Sequence, residues 1–285
     1  MSSEHYRYAV LGNPVAHSQS PFIHAEFARQ TGQNMEYTRV LCAMDGFVDA
    51  VHAFAAAGAR GCNVTVPFKF QSPALAQGLT PRAALAQAAN TLRFDADGWW
   101  ADNTDGIGLV RDLQGHAGVA LQGKRVLLIG AGGAAAGVLG PLIEARPALL
   151  HVANRTAEKA ASLVQRHAAL AKDCGTDLSF SGLDRAGEAY DVVLNSSASS
   201  LAGTAVPVHD RVLKPGALAV DLMYGAAARP FMAWAHTQGA IPRDGLGMLV
   251  EQAAEAFFLW RGVIPETAPV LRQLRRLLDA ETVAR

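Results

Sequence analysis

The chain has 285 residues, of which 50% are hydrophobic, so it can bury the core of one large domain or two medium ones. Lysine plus arginine equals aspartate plus glutamate at 25 each, and this zero formal charge excludes a general electrostatic attraction to nucleic acid or to an anionic membrane. The sequence has no secretory pattern and no apolar stretch long enough to span a membrane. It has only three cysteines, which are far apart: Cys42, Cys62 and Cys174. We therefore expect a cytoplasmic protein without a disulfide framework or a metal.

The first part of the chain alternates short apolar runs with longer amphipathic ones, which indicates an α/β fold. Strands are predicted at YRYAVLG, EYTRVL and CNVTVP, with helices at about residues 20–31 and 45–57 between them. TLRF and GWWAD then predict a hairpin. The segment NTDGIGLVRDL predicts a helix, because Ile107, Val110 and Leu113 fall near helical spacing, and the chain is expected to enter a second domain here.

The second part begins with KRVLLIG, a continuous apolar run typical of a parallel strand covered on both faces. LLHVAN, YDVVLNS and GALAVDLMY follow, separated by helical or turn-rich segments, and this series predicts a Rossmann-like, doubly wound sheet. After DGLGM the pattern is helical alone, and we expect these helices to pack back on the first domain. The predicted domains are 1–106 with 246–285, and 107–245.

A dinucleotide loop is predicted where Gly130, Gly132 and Ala135 form G-x-G-x-x-A between the strand RVLLI and a helix. The first glycine permits a tight turn, the second lets the backbone approach a pyrophosphate, and the helix start supplies N–H donors. The alternative is a turn whose glycines serve packing alone. The strand, loop, helix and next strand together favour the cofactor site.

The end of the next strand predicts NADP rather than NAD. An acidic residue there would bind the ribose 2′-hydroxyl of NAD, but the sequence has Asn154, Arg155 and Thr156, with Lys159 one helical turn later. A 2′-phosphate needs a cation and hydrogen-bond donors, which these residues can supply. The alternative is a solvated helix start, which would be the commoner explanation for isolated charges.

Polar clusters follow the strands of the first domain and predict a substrate site. They offer hydroxyls, amides, one lysine and one aspartate, which suit a small hydroxylated carboxylic acid: Ser18, Ser20, Asn63, Thr65, Lys69, Asn103, Thr104 and Asp105. Structural alternatives remain open, because Ser20 before Pro21 could be an N-cap, Asn63 could pair in a turn and Asp105 could cap a helix. Lys69 follows an apolar run, where a solvated lysine gains little.

Longer strings resemble those of the shikimate dehydrogenase family over nearly the whole chain. They are GNPVAHSQSP, NVTVPFK, AANTL, DNTDGIG, GAGGAA, ANRT, DLMYG and DGLGMLVEQAAEAF, in this order. The resemblance implies an oxidoreductase that reduces 3-dehydroshikimate to shikimate with NADPH in aromatic amino acid biosynthesis. It also implies that Lys69 and Asp105 are the catalytic pair, since the alkoxide formed by hydride transfer must be protonated.

The resemblance further implies two sets of binding residues. The substrate set has Ser18 and Ser20 on the carboxylate, with others on the hydroxyls or ordering the site: Thr65, Asn90, Asp105 and Gln252. Tyr224 is implied to lie beside the substrate and the nicotinamide. The cofactor set comprises Gly130, Ala131, Gly132, Gly133, Ala134, Asn154, Arg155, Thr156, Lys159, Met223, Gly245 and Gly247.

The sequence departs from the family pattern at two positions: Ser200 stands where a glycine is common, and Ala136 where a polar or basic residue is frequent. Two alternatives remain open, a quinate/shikimate dehydrogenase with relaxed substrate or cofactor choice and a non-catalytic ligand-sensing paralogue. Lys69 and Asp105 argue against the second. We expect a monomer or homodimer whose partner is the small-molecule substrate.

Overall fold

The computed structural model describes residues 5–197, 199 and 208–283, and the chain divides into two compact units. Among the described residues, the first unit runs to Gly108 and includes Leu249–Leu277, and the second comprises those of Leu109–Met248 and residues 278–283. The crossings at 108 and 248 therefore fall just beyond the predicted boundaries at 106 and 245. Residues 278–283 group with the second unit, whereas the sequence analysis expected them in the first.

The first unit contains a mixed sheet in the order β2-β1-β3-β5-β6-β4. Its first three strands are parallel, and β5 is antiparallel to both β3 and β6. The predicted β-α-β-α-β unit and the hairpin are confirmed, whereas β4 is too short to leave a sequence pattern. The elements are β1 (Tyr6–Gly12), α1 (Ser20–Thr31), β2 (Met35–Leu41), α2 (Phe47–Ala56), β3 (Gly61–Val64), β4 (Gly78–Leu79), α3 (Pro81–Ala86), β5 (Thr91–Asp95) and β6 (Gly98–Asp102).

Alternation along β1 divides the core of this unit between the two sheet faces. Ala9 and Leu11 join a cluster that includes Phe47 and Phe68, while Tyr8 lies in a separate cluster with Trp260. Trp260 belongs to the carboxyl-terminal helix α8 (Leu246–Arg261), which is followed by α9 (Thr267–Val283). Its ring stacks on Tyr8 with centroids 4.6 Å apart, and its Nε1 donates to the Leu92 carbonyl at 3.0 Å. The predicted packing of α8 on the first unit is confirmed.

His24 of α1 is fully buried in this core and stacks on Tyr37, with ring centroids 4.1 Å apart. Burial lowers the pKa of His24 from 6.5 to about 3, and the nearby Asn63 opposes this shift only in part. The folded protein therefore keeps His24 neutral over a pH range in which the unfolded chain binds a proton.

Acid is expected to destabilise the first unit through His24. Between about pH 6.5 and 3 the unfolded state binds one more proton at this site, so the free energy of unfolding falls as pH falls, by up to about 1.4 kcal/mol per pH unit. His24→Leu should flatten the slope in urea unfolding measured between pH 7 and 4.5. The exposed His236→Leu is the matched control and should keep the wild-type slope. Equal slopes in all three proteins would contradict this expectation.

The second unit contains an all-parallel sheet in the order β12-β11-β10-β7-β8-β9. This is the predicted doubly wound topology, and its central strand β7 is buried from Val126 to Ile129. The sequence missed β9 and β12, which lie at the edges, carry polar residues and lack a continuous apolar run. The helix α4 (Asp105–Arg111) begins in the first unit and ends in the second. The other elements are β7 (Arg125–Ile129), α5 (Gly133–Glu144), β8 (Leu149–Ala153), α6 (Ala157–Cys174), β9 (Asp177–Ser181), β10 (Tyr190–Asn195), β11 (Leu213–Asp221), α7 (Arg229–Thr237) and β12 (Ile241–Asp244).

Among the residues described, no helix combines the length and apolar character needed to cross a lipid bilayer.

Candidate functional site

Lys69 and Asp105 form a short, shielded ion pair in the first unit. Lys69 lies in a single helical turn, Phe68–Phe70, beyond β3, and Asp105 is the first residue of α4. The Nζ atom of Lys69 lies 2.6 Å from Oδ2 of Asp105, and the side chains are 14% and 5% exposed. Although the two residues are 36 positions apart, they meet because β3 and the β5–β6 hairpin are neighbours in one sheet. The pair offers a proton donor with its charge partner already in place.

An amide network holds the other carboxylate oxygen of Asp105. Asn90 Nδ2 lies 2.9 Å from Asp105 Oδ1, 2.9 Å from Thr104 Oγ1 and 3.1 Å from Gln252 Oε1. An amide nitrogen has only two hydrogens, so these three acceptors share them. The Thr104 backbone N–H donates to Asn90 Oδ1 at 2.8 Å and fixes the orientation of the amide. The structure thus brings together four residues from four separate segments: Lys69, Asp105, Asn90 and Gln252.

Gln252 can reach this network because α8 approaches α4 very closely. A Cβ atom added at Gly108 would lie 2.6 Å from the backbone nitrogen of Gln252, so no larger residue fits there without movement. The Gln252 side chain is also oriented by its own helix, since Nε2 donates to the Leu249 carbonyl at 2.8 Å.

Ser18 and Ser20 lie together at the start of α1. The Ser18 hydroxyl donates to Ser20 Oγ at 3.1 Å and accepts from the Ser20 backbone N–H at 3.3 Å. The suggestion that Ser20 is the N-cap is wrong, because Gln19 occupies that position and Ser20 already lies inside the helix. Two neighbouring hydroxyls beside the positive end of a 12-residue helix form an arrangement that suits a carboxylate.

Asn63 lies in β3 rather than in a turn, and its amide is fully engaged. Its Nδ2 donates to the Asn90 carbonyl at 3.1 Å and lies 3.0 Å from Thr91 Oγ1, while Oδ1 accepts from the Tyr37 hydroxyl at 2.7 Å. Sequence reasoning missed Tyr37, which occurs in an ordinary strand pattern with no signal of a role. Thr65 follows β3, and its N–H donates to the Leu11 carbonyl at 2.9 Å.

The predicted dinucleotide loop joins β7 to α5 in the second unit. Gly130 has a φ of 111°, and a Cβ there would lie 2.7 Å from Ser196 Oγ, so this position needs glycine. Gly132 is the N-cap of α5, and a Cβ there would meet no atom within 4 Å, which leaves its backbone open to a ligand. Ala131, Gly133 and Ala134 are partly exposed around this opening. The loop therefore has the open backbone that a pyrophosphate requires.

The segment after β8 carries the residues predicted to select the cofactor. Asn154 Nδ2 donates to the Thr156 carbonyl at 2.8 Å, which holds the turn into α6. Arg155, Thr156 and Lys159 are exposed, and within residues 5–197, 199 and 208–283 neither cation is in an ion pair. These donors fit a 2′-phosphate.

The remaining cofactor candidates, Met223, Gly245 and Gly247, follow the carboxyl ends of β11 and β12, which lie on the same side of the parallel sheet. The Gly245 N–H donates to the Met223 carbonyl at 2.8 Å, and Tyr224 is partly exposed. Gly247 lies against the buried carboxylate of Asp112, which a Cβ at this position would strike. Asp112, which the sequence analysis did not select, therefore explains why residue 247 is glycine.

The two departures from the family pattern have different outcomes. Ala136 is 2% exposed within α5, so it packs in the core, and a polar side chain there would not face the open loop without a change in packing. Ser200 lies outside the residues that the structure describes.

Comparison with protein families gives three matches along the chain. Residues 10–92 match the shikimate dehydrogenase substrate binding domain. Residues 113–222 match the shikimate / quinate 5-dehydrogenase family, and residues 245–275 match the shikimate 5'-dehydrogenase C-terminal domain.

Comparison with individual proteins gives matches over almost the full length. The shikimate dehydrogenase (NADP(+)) of Methylibium petroleiphilum is 62% identical over 279 residues, which cover 96% of this chain and 95% of the relative. Among solved structures, an Ael1 enzyme from Pseudomonas putida is 42% identical, with a TM-score of 0.85 and coverage of 94% and 98%. The Thermus thermophilus shikimate 5-dehydrogenase, in complex with NADP(H) and shikimate, is 30% identical, with a TM-score of 0.78 and coverage of 95% and 99%.

Proposed function

The chain belongs to the shikimate dehydrogenase family, and we propose that it catalyses the NADPH-dependent, reversible reduction of 3-dehydroshikimate to shikimate in aromatic amino acid biosynthesis. The observation that carries this proposal is the shielded pair of Lys69 and Asp105, 2.6 Å apart and tied to Asn90 and Gln252. A proton donor among hydrogen-bonding groups suits the reduction of a ketone on a hydroxylated ring.

Lys69 is assigned as the proton donor. Bound NADPH supplies the hydride to the ketone carbon, and the alkoxide oxygen then needs a proton. The Lys69 ammonium has three hydrogens and uses one for Asp105, so it can give another to the substrate oxygen while Asp105 holds it in place. Asp105 also bonds a neighbouring hydroxyl of the ring in this assignment, because a carboxylate accepts several hydrogen bonds.

The substrate carboxylate is assigned to Ser18 and Ser20. Their hydroxyls lie 3.1 Å apart at the start of α1, so both can turn toward the two oxygens of one carboxylate. Thr65, Asn90 and Gln252 are assigned to the ring hydroxyls or to ordering the site. Tyr224, in the second unit, is assigned beside the substrate on the strength of the family resemblance alone.

The cofactor is assigned to the second unit. The open backbone at Gly132 and the start of α5 suit the pyrophosphate, with Gly130, Ala131, Gly133 and Ala134 shaping the loop. Asn154, Arg155, Thr156 and Lys159 suit the 2′-phosphate, since they place two cations and a hydroxyl at the carboxyl end of β8. Met223, Gly245 and Gly247 are assigned to the nicotinamide side.

Steady-state assays separate this proposal from the two alternatives. NADPH oxidation with 3-dehydroshikimate and NADP⁺ reduction with shikimate should both be rapid. NADP⁺ reduction with quinate, and NAD⁺ reduction with shikimate, should be much slower. Comparable rates with quinate or NAD⁺ would indicate the relaxed enzyme, and binding without turnover would indicate the ligand sensor. A cytoplasmic location and a monomeric or homodimeric state belong to the proposal and are tested by fractionation and sedimentation.

Replacing Arg155 with aspartate is expected to weaken NADPH use. The change removes a cation and places a negative charge where the 2′-phosphate should lie, so the KM for NADPH should rise on the order of 10- to 100-fold. The KM for NADH should stay level or fall, since a carboxylate can bind a ribose hydroxyl. Lys172→Asp makes the same kind of change at an exposed position at the far end of α6, and as the control it should leave both KM values unchanged. If Arg155→Asp kept the wild-type preference for NADPH over NADH, the assignment of Arg155 to the 2′-phosphate would be refuted.

A further inference from the structure

A pocket in the second unit lies at the amino ends of the parallel strands, on the side opposite the dinucleotide loop. It has a volume of about 430 Å³ and is lined mainly where the sheet strands start, by Lys124 before β7, Asp191 in β10 and Lys214 in β11. Arg243, the third residue of β12, also lines it. All strands of this sheet are parallel, so their amino ends lie along one side of the sheet. The dinucleotide loop follows the carboxyl end of β7, on the opposite side. Small-molecule sites usually measure roughly 300–1,000 Å³, and this pocket falls within that range.

Three cations converge on the pocket, and their hydrogen-bond donors are only partly used. Lys214 Nζ donates to Asp191 Oδ1 at 2.7 Å, which leaves two of its three hydrogens. Arg243 bonds the buried Asp112 through Nε, at 3.0 Å, and through Nη2. In the described part of the chain, Nη1 of Arg243 and the Lys124 ammonium make no hydrogen bond. The pocket wall therefore has spare charged donors.

The balance of charge in the pocket favours an anion. The three cations Lys124, Lys214 and Arg243 face two carboxylates, Asp191 and Asp112, so the group carries a net positive charge. Burial alone would raise the pKa of Asp191, but the Arg125 backbone N–H and the charges of Lys214 and Lys124 lower it overall. The Lys214 hydrogen bond contributes to this lowering as well, so Asp191 is held as a carboxylate beside the pocket.

Apart from His116, the rest of the wall is built from apolar side chains and glycine. Val119, Leu218, Ile241 and Pro242 line the same pocket, and Ile241 is 59% exposed although it begins a strand. An exposed isoleucine beside spare cationic donors suits a ligand with an apolar body and one charged end. We propose that this pocket binds a small organic anion, namely a monocarboxylate with an apolar or aromatic body, at a site separate from the substrate and NADP sites.

Methyl NMR of the full-length protein tests the proposal with benzoate as the probe. Titration at constant ionic strength should shift the Ile241 δ1 methyl signal saturably, while the buried Ile143 in α5 serves as the unchanged reference. Benzamide, which has the same body without charge, and inorganic phosphate, which has charge without the body, should bind much more weakly. A shift that never saturates, or equal affinity for benzamide or phosphate, would overturn the proposal.

A charge reversal in the pocket provides the second measurement. Lys124→Glu should weaken benzoate binding on the order of tenfold or more, because it replaces an attractive charge with a repulsive one. Lys172→Glu makes the same change on an exposed part of α6 and should bind benzoate as the wild type does. Both positions lie outside the proposed catalytic machinery, so unchanged dehydrogenase activity checks that both variants are folded. Wild-type affinity in Lys124→Glu would overturn the proposal.

Discussion

Replacing Lys69 with alanine is expected to lower kcat on the order of 10²-fold or more, as removal of a general acid or base commonly does. The loss follows from position, since Lys69 is the cation that Asp105 holds at 2.6 Å and is only 14% exposed. Water entering the vacated space would be a poorer and less well oriented proton donor. The initial rate of NADPH oxidation with saturating 3-dehydroshikimate measures the effect.

A control is needed because Lys69→Ala also leaves the Asp105 carboxylate without its partner. Lys69→Met keeps much of the side-chain volume and should show a similar loss in kcat, which separates the charge from the packing. NADPH affinity, measured by fluorescence titration, should remain near the wild-type value, because the dinucleotide loop lies in the second unit. A near-normal kcat in both variants would exclude Lys69 as the acid.

Replacing Asp105 with asparagine is expected to lower kcat/KM on the order of 10²-fold. The change keeps the shape of the side chain but removes the charge that orients the Lys69 ammonium, and it turns one of two accepting oxygens into a donor. That donor would face either Lys69 or the Asn90 amide, which both donate to Asp105 at 2.6 and 2.9 Å. Two opposed donors disrupt the network.

The readout for Asp105→Asn is the separate effect on kcat and KM. Because Asp105 both holds Lys69 and is assigned to a ring hydroxyl, kcat should fall and KM for 3-dehydroshikimate should rise together. Asp173→Asn, an equivalent change on the exposed side of α6, should leave both constants unchanged. A rise in KM with normal kcat would show that Asp105 only binds substrate and leaves catalysis to Lys69 alone.

Strand ends and glycine loops made much of this molecule predictable from sequence. Lys69 stood out because it follows an apolar run, where a solvated lysine gains little, and Asp105 because it stands in a polar cluster at the start of a predicted helix. The Gly130 loop was predictable for a related reason, since a tight turn between a buried strand and a helix restricts side chains. Signals of this kind are local in sequence.

Residues whose roles depend on distant partners were not predictable. Tyr37 supports Asn63, 26 positions away, and Asp112 pairs with Arg243, 131 positions away, yet both occur in ordinary local patterns. The edge strands β9 and β12 were missed because one side of each has no neighbouring strand, so their residues need not be apolar. Long-range pairing leaves little trace in a single sequence.

The helices α4 and α8 cross so closely at Gly108 that this glycine determines where Gln252 lies. The space that separates the two helices there is filled by a hydrogen atom, and a methyl group in its place would press on the main chain of residue 252 at 2.6 Å. Gln252 would then be carried away from the amide that it now meets at 3.1 Å. A substitution at Gly108 is therefore expected to disturb the hydrogen bonds around Asn90 while the sheet beneath them stays intact.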